Sequence, residues 1–111
     1  MTETKFKSRA VNIIKKELPG CWHYHPSDKW ISGIPDIFIL YQGQFAAIEL
    51  KVGDNPVTRL QEHTLARLAA AGAITKICRN NDQEDGIKQI RSVCSAIKAR
   101  VESGIRTYVP Q

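Results

Sequence analysis

The sequence of 111 residues has no long hydrophobic run, few aromatic residues and only three cysteines. Its apolar segments are only a few residues long, which excludes a membrane-spanning helix. Cys21, Cys78 and Cys94 form neither a CxxC pair nor an even-numbered disulfide framework, so we interpret them as reduced, small apolar residues. The first residues show no apolar segment typical of a secretory signal, and we expect the chain to stay in the cytoplasm.

What the sequence does contain is typical of one soluble domain over residues 1–111. Hydrophobic residues make up 42% and charged residues 24% of the chain, which argues against disorder and coiled coil. The length suits a single modest core. Sixteen Lys and Arg against eleven Asp and Glu give a net charge of +5 and a pI near 9.3. This balance suits a polyanionic partner such as nucleic acid, although many proteins that bind none share it.

Hydrophobic periodicity and turn residues predict the element order αβββαβα. Helices are predicted over residues 3–18 and 58–71 and from Asp82 to Gly104. Strands are predicted over residues 21–25, 36–41, 44–51 and 73–79, and the tail 105–109 is a candidate edge strand. The order is not strictly alternating, so it indicates an α/β fold with a mixed sheet.

The second and third strands carry the most informative polar residues. Gln42 and Gly43 predict a two-residue turn, which places Asp36 opposite Glu49 at the end of an otherwise apolar face. Two carboxylates ~5 Å apart repel by roughly 3 kcal/mol at an effective dielectric near 20. Either one carboxyl is protonated or a cation such as Mg²⁺ lies between them. Lys51 follows on the same face, and a surface salt bridge at a strand end is the alternative interpretation.

Polar residues also occur on helix faces and on the first strand. Glu17 ends the apolar stripe of the first helix, and Gln61 shares a face with two leucines of the second. Each has a simpler interpretation, because a glutamate in a last turn is commonly solvated and a helical glutamine commonly caps or bridges another group. Cys21, His23 and His25 alternate along the first strand, but a soft-metal site there lacks a fourth ligand at a recognisable spacing.

One run of residues resembles the PD-(D/E)xK nuclease signature: Ser32-Gly33-Ile34-Pro35-Asp36, then twelve residues, then Glu49-Leu50-Lys51, with Gln61 in the following helix. More narrowly, it resembles the stand-alone virus-type replication-repair nuclease (VRR-NUC) domain of phages and bacteria. The resemblance implies a restriction-endonuclease-like αβββαβ core, with a mixed central sheet flanked by helices, to which this chain adds a C-terminal helix. It also implies a Mg²⁺- or Mn²⁺-dependent endonuclease that hydrolyses phosphodiester bonds in DNA.

The resemblance also implies roles for individual residues. Asp36 and Glu49 are metal ligands together with the backbone carbonyl of Leu50, and Lys51 orients or activates the attacking water. Glu17 matches the acid that such nucleases carry on the first helix, as a further metal ligand, and Gln61 matches the polar residue that positions water or a phosphate. Apart from the resemblance, the surplus of cations predicts phosphate contacts that do not read sequence, made by Lys5, Lys7, Arg9, Lys15, Lys16, Lys29, Arg59 and Arg67.

We therefore expect a structure-selective DNA endonuclease that acts on branched DNA such as four-way junctions. A homodimer would supply the two cuts that resolve such a junction, with residues 21–24, Trp30, Ile31 and the tail 105–109 as candidate contacts. One alternative is a basic DNA-binding accessory domain that has a nuclease-like fold but no activity. Another is a small sequence-specific restriction-like endonuclease, which normally needs more chain for base-reading elements.

Overall fold

The computed structural model describes residues 1–26, 33–81 and 85–104. Three predicted features lie outside these ranges: the helix start at Asp82, the loop residues Lys29 to Ile31, and the tail 105–109. Within the described ranges the predicted order αβββαβα is confirmed. The elements are α1 (Glu3–Glu17), β1 (Trp22–Tyr24), β2 (Ile37–Tyr41), β3 (Gln44–Val52), α2 (Arg59–Ala70), β4 (Ile74–Asn80) and α3 (Asp85–Ser103).

The four strands form one mixed sheet in the order β1-β2-β3-β4. β2 pairs antiparallel with both β1 and β3, whereas β3 and β4 are parallel. Gln42 (φ 47°) and Gly43 (φ 84°) both adopt the left-handed conformation that a two-residue type I′ turn requires. This turn pairs Leu40 with Phe45, as the hairpin prediction required.

The two faces of the sheet differ in how they are covered. α1 and α3 cover one face, where the buried core contains Phe6, Ala10, Ile14, Ile37, Ile39, Ile48, Leu50, Ile87, Ile90 and Ile97. The other face carries the even-numbered residues of β1 and β2 and the odd-numbered residues of β3 and β4. α2 packs against this second face over β4. We call it the open face, because Trp22, Tyr24 and Leu40 there are 54%, 52% and 44% exposed.

Local sequence explains where the helices begin and end. Thr2 caps α1 through a hydrogen bond that its hydroxyl accepts from the Lys5 backbone N–H (3.1 Å), and Pro19 and Gly20 follow its C-terminal end. α2 begins after a cap at Thr58. Within the described residues, no helix is both long and apolar enough to cross a membrane.

Candidate active site

Asp36 lies one residue beyond the β2–β3 ladder, which ends at the pair Ile37 and Ile48. Its side chain extends the ladder, because the Asp36 Oδ2 atom accepts a hydrogen bond from the Leu50 backbone N–H at 2.7 Å. The carboxylate thus takes the place that a carbonyl of a longer β2 would have occupied. This bond fixes Asp36 next to β3, at the position of Glu49.

Glu49 is an unusual residue for a strand interior, since its side chain is only 2% exposed. Burial, followed by the neighbouring Asp36 carboxyl, raises the pKa of Glu49 to about 9. Its Oε2 atom accepts no hydrogen bond from any described residue, although buried polar atoms normally have a partner. The raised pKa favours the protonated form of Glu49, which is one of the two outcomes that the facing carboxyl groups predicted.

Two further charged residues act on this pair. Lys51, two residues along β3 and partly exposed, favours the ionised form of Glu49. Glu3, in the first turn of α1, acts in the opposite sense and contributes to the raised pKa of Glu49. Three carboxyl groups and one ammonium group therefore lie within electrostatic range of one another at the end of the sheet near Asp36. Sequence reasoning missed Glu3, which is exposed. Its signal was its position three residues before the buried Phe6, on the same face of α1.

Glu17, which the sequence placed in this site, lies elsewhere. Its Oε2 atom forms an ion pair with Lys98 Nζ of α3 at 3.0 Å, and both side chains are more than one-third exposed. The hydrogen bond and charge of Lys98 lower the pKa of Glu17. Glu17 and Glu3 are at opposite ends of a 15-residue helix, roughly 21 Å apart at 1.5 Å per residue. The structure therefore does not bring Glu17 to Asp36 and Glu49.

Gln61 forms a capping box at the start of α2. Its Oε1 atom accepts a hydrogen bond from the Thr58 N–H (3.0 Å), and the Thr58 hydroxyl accepts one from the Gln61 N–H (3.1 Å). This is the capping role that the simpler interpretation assigned to it. The side-chain nitrogen of Gln61 makes no hydrogen bond to a described residue, so it remains able to donate to water or phosphate.

The cations predicted to contact DNA are distributed over two helices. Lys5, Arg9, Lys15 and Lys16 are exposed on α1, and Arg59 and Arg67 are exposed in the first and last turns of α2. Lys7 is partly buried. It lines a cavity of about 310 Å³ with Thr4, Ser8, Val11, Asn12 and His25. Lys29 lies outside the described residues.

The Asp36 and Glu49 pair fits a hard divalent cation better than Cys21, His23 and His25, in and beside β1, fit a soft one. Across residues 1–26, 33–81 and 85–104, no group of three or more His, Cys, Asp or Glu side chains is arranged to hold a metal ion. Mg²⁺, however, is usually bound by one or two carboxylates together with water and substrate phosphate. The Leu50 carbonyl points to the same strand edge as its N–H group, next to Asp36, and adds a third oxygen.

Searches with protein-family models and against curated protein sequences gave no match. The fold is similar to a solved structure described as a VRR_NUC domain, with a TM-score of 0.64 and 18% identity over 84% of this chain and 94% of that chain. It is also similar to Hjc, a Holliday junction resolvase from the archaeal hyperthermophile Archaeoglobus fulgidus, with a TM-score of 0.53 and 17% identity over 68% of this chain and 65% of that one. At the level of the fold, these similarities confirm the resemblance identified from the sequence.

Proposed function

We propose that the chain is a metal-dependent endonuclease that hydrolyses phosphodiester bonds in DNA and selects its substrate by branched shape. The observation that carries this proposal is the Glu49 carboxylate, buried beside Asp36 with an oxygen that no described residue satisfies. A fold shared with a VRR_NUC domain supports it. We also propose that the protein acts in the cytoplasm.

Asp36, Glu49 and the Leu50 carbonyl are the groups that would hold Mg²⁺ or Mn²⁺. When bound, such an ion supplies a Lewis acid that withdraws charge from a phosphodiester and lowers the pKa of a water molecule. Glu3 replaces Glu17 in the proposed set, because it is the acid of α1 that acts on Glu49. Its carboxylate would accept a hydrogen bond from water at the edge of the site.

Lys51 and Gln61 complete the proposed machinery. The Lys51 ammonium group lies on the face of β3 that carries Glu49, where it can orient the attacking water and stabilise the negative charge that develops on the phosphate. The Gln61 side-chain nitrogen would donate a hydrogen bond to water or to a phosphate oxygen. The side-chain oxygen of Gln61 already forms part of the helix cap, so the side-chain nitrogen can contact only water or phosphate near the start of α2.

Branched DNA is the substrate class that we propose. The structural neighbour Hjc is described as a Holliday junction resolvase, and the exposed cations of α1 and α2 suit phosphate contacts that carry no sequence information. In a cleavage assay, labelled four-way junctions should be cut with Mg²⁺ and left intact with EDTA, and linear duplex should be cut more slowly. Binding without nicking would instead identify a DNA-binding accessory domain. Cutting of one sequence in linear duplex would identify a restriction-like enzyme.

A homodimer is the proposed assembly. The exposed Trp22, Tyr24 and Leu40 of the open face offer an apolar contact, and a two-fold dimer would supply paired cuts in a two-fold symmetric junction. Light scattering at physiological salt should give about twice 12.5 kDa. Replacement of Trp22 by Ser should shift the mass towards that of the monomer, and a clean monomer for the unaltered chain would exclude the dimer.

A further inference from the structure

Arg79 lies beside the proposed active site without having been assigned any role. It is paired in register with Lys51 of the parallel neighbouring strand, so the two Cα atoms are about 4.8 Å apart. Side chains of residues paired in this way point to the same face, which for Lys51 is the open face carrying Glu49. The structure therefore places a second cation next to Lys51, on the other side from Asp36.

Hydrogen bonds fix Arg79 at both its backbone and its side chain. The Gln89 side chain of α3 accepts from the Arg79 N–H at 2.8 Å and donates to its carbonyl at 3.3 Å. The Arg79 Nη1 atom donates to the Gly53 carbonyl at 2.6 Å. Gly53 is two residues after Lys51, and its own N–H donates to the Asn80 carbonyl at 3.0 Å. The guanidinium group is thus held next to the turn that follows the proposed catalytic lysine.

The guanidinium group has more hydrogen-bonding capacity than the described residues use. Arginine carries five N–H donors, and the bond to Gly53 uses one of them. No described carboxylate lies within ion-pair distance of Arg79, although three carboxyl groups gather at the same end of the sheet. A planar guanidinium group that is fixed at one edge, and whose other donors bind no residue in the described part of the chain, matches the bidentate geometry of a phosphate.

We propose that Arg79 forms a phosphate-binding subsite that holds the DNA backbone next to the phosphodiester at Lys51. This inference rests on the proposed nuclease function and adds to it a residue that binds substrate. The purely structural alternative is that Arg79 serves only to anchor the turn at Gly53. Arg100 provides a matched control, because its Nη1 atom donates to the Gly72 carbonyl at 2.9 Å. Gly72 precedes β4, at the end of the strand opposite to Arg79.

The test compares Arg79→Gln with Arg100→Gln in DNA binding at several salt concentrations, measured by fluorescence anisotropy with a labelled four-way junction and no divalent metal. Arg79→Gln should weaken binding by about 10-fold and reduce the slope of log K against log salt by about one, whereas Arg100→Gln should change neither. Melting temperatures should fall by similar amounts in both variants, because each loses one guanidinium-to-glycine bond.

Arg79→Lys covers the case in which Arg79→Gln does not fold. Lysine keeps the positive charge but cannot make the bidentate contact of a guanidinium group with phosphate. Arg79→Lys should therefore raise KM several-fold in the presence of Mg²⁺ while kcat stays within about 2-fold. Arg100→Lys should change neither KM nor kcat. An unaltered salt slope in Arg79→Gln, or an unaltered KM in Arg79→Lys, would overturn the inference. If the unaltered chain binds junctions but never cuts them, the nuclease proposal fails, yet the salt slopes still decide the role of Arg79.

Discussion

Two glutamates of this protein sit in opposite electrostatic environments. Glu49, buried on β3 beside another carboxyl group, has a raised pKa. Glu17, partly exposed at the end of α1, has a lowered pKa because Lys98 is hydrogen-bonded to it. Both lie near the ends of apolar stretches in the sequence. The described residues disfavour the ionised form of Glu49, whereas Lys98 stabilises the ionised form of Glu17.

The difference distinguishes a carboxyl group that is available to bind a cation from one that an ion pair already satisfies. A buried carboxylate that lacks a partner destabilises the native state, so the burial of Glu49 supports the cation site proposed at Asp36 and Glu49. A half-exposed ion pair contributes little to stability and needs no ligand. The four predictions below test this contrast, and the first three do so through cleavage.

Glu49→Gln should cause the largest loss of cleavage, at least about 10³-fold, because it would remove a proposed ligand of an ion that supplies several kcal/mol of transition-state stabilisation. DNA binding should be unchanged or stronger, since one negative charge is lost from the site. Single-turnover cleavage and anisotropy with the same junction separate the two effects. Substantial Mg²⁺-dependent nicking by a Glu49→Gln protein with a native circular dichroism spectrum would contradict the role proposed for Glu49.

Lys51→Ala should lower kcat by about 10²-fold and change the junction Kd by much less. Many exposed cations can contribute to DNA binding, whereas Lys51 is the cation on the face of β3 that carries Glu49. Lys76→Ala is a suitable control, because Lys76 is an exposed cation on β4 whose register position places it on the opposite face. Equal losses of kcat in the two variants would contradict a specific role for Lys51.

Glu3→Gln and Glu17→Gln compare the two ends of α1 directly. Glu3→Gln should reduce cleavage by about 10-fold, as expected for a group that acts on water at the site. Glu17→Gln should leave it within about 2-fold of the unaltered rate. Rates measured over a range of Mg²⁺ concentrations check both. A larger loss for Glu17→Gln would restore the assignment made from the sequence.

The metal-free protein should lose stability as pH rises, which is the smallest of these effects. The pKa of Glu49 is about 9 in the folded chain against 4.5 for the ordinary group, so between these values the native state binds a proton that the unfolded state has released. Stability contributed by this group is therefore complete below about pH 4.5 and is lost as pH rises towards 9.

Thermal melts in EDTA can measure this effect as the difference between the unaltered chain and Glu49→Gln. At about pH 8 the variant should be more stable by at least about 1 kcal/mol, or ~4 to 8 °C for a domain near 100 residues. Near pH 5 the difference should shrink, and Mg²⁺ should stabilise only the unaltered chain. A difference that does not change with pH would show that Glu49 is not protonated in the fold.

The hairpin of the site was predictable because its determinants are local. Gln42 and Gly43 set the turn, and the turn sets the register that brings Asp36 to Glu49. The hydrogen bond from the Leu50 N–H to Asp36 was not predictable, since a pairing rule assumes backbone partners and the ladder ends one residue earlier. The capping box at Thr58 had a readable signal, a threonine three residues before Gln61.

The choice between Glu3 and Glu17 could not be made from periodicity. The two residues are fourteen apart, close to four helical turns, so both fall on the face of α1 that carries its buried residues. The distinction depends on which end of the helix lies over the end of the sheet near Glu49. Long-range packing decides that, because the aromatic ring of Phe6 lies next to Gly86 at the N-terminus of α3.

The two hydrogen bonds between Gln89 and the Arg79 backbone also protect part of the sheet against strand addition. β4 lies at one edge of the four-stranded sheet, and an edge strand with free N–H and C=O groups invites another chain to pair with it. At Arg79 a side-chain amide already takes both of these groups. A strand from another chain could pair with β4 at this position only by displacing Gln89, so the amide that fixes Arg79 also protects this end of the edge against aggregation.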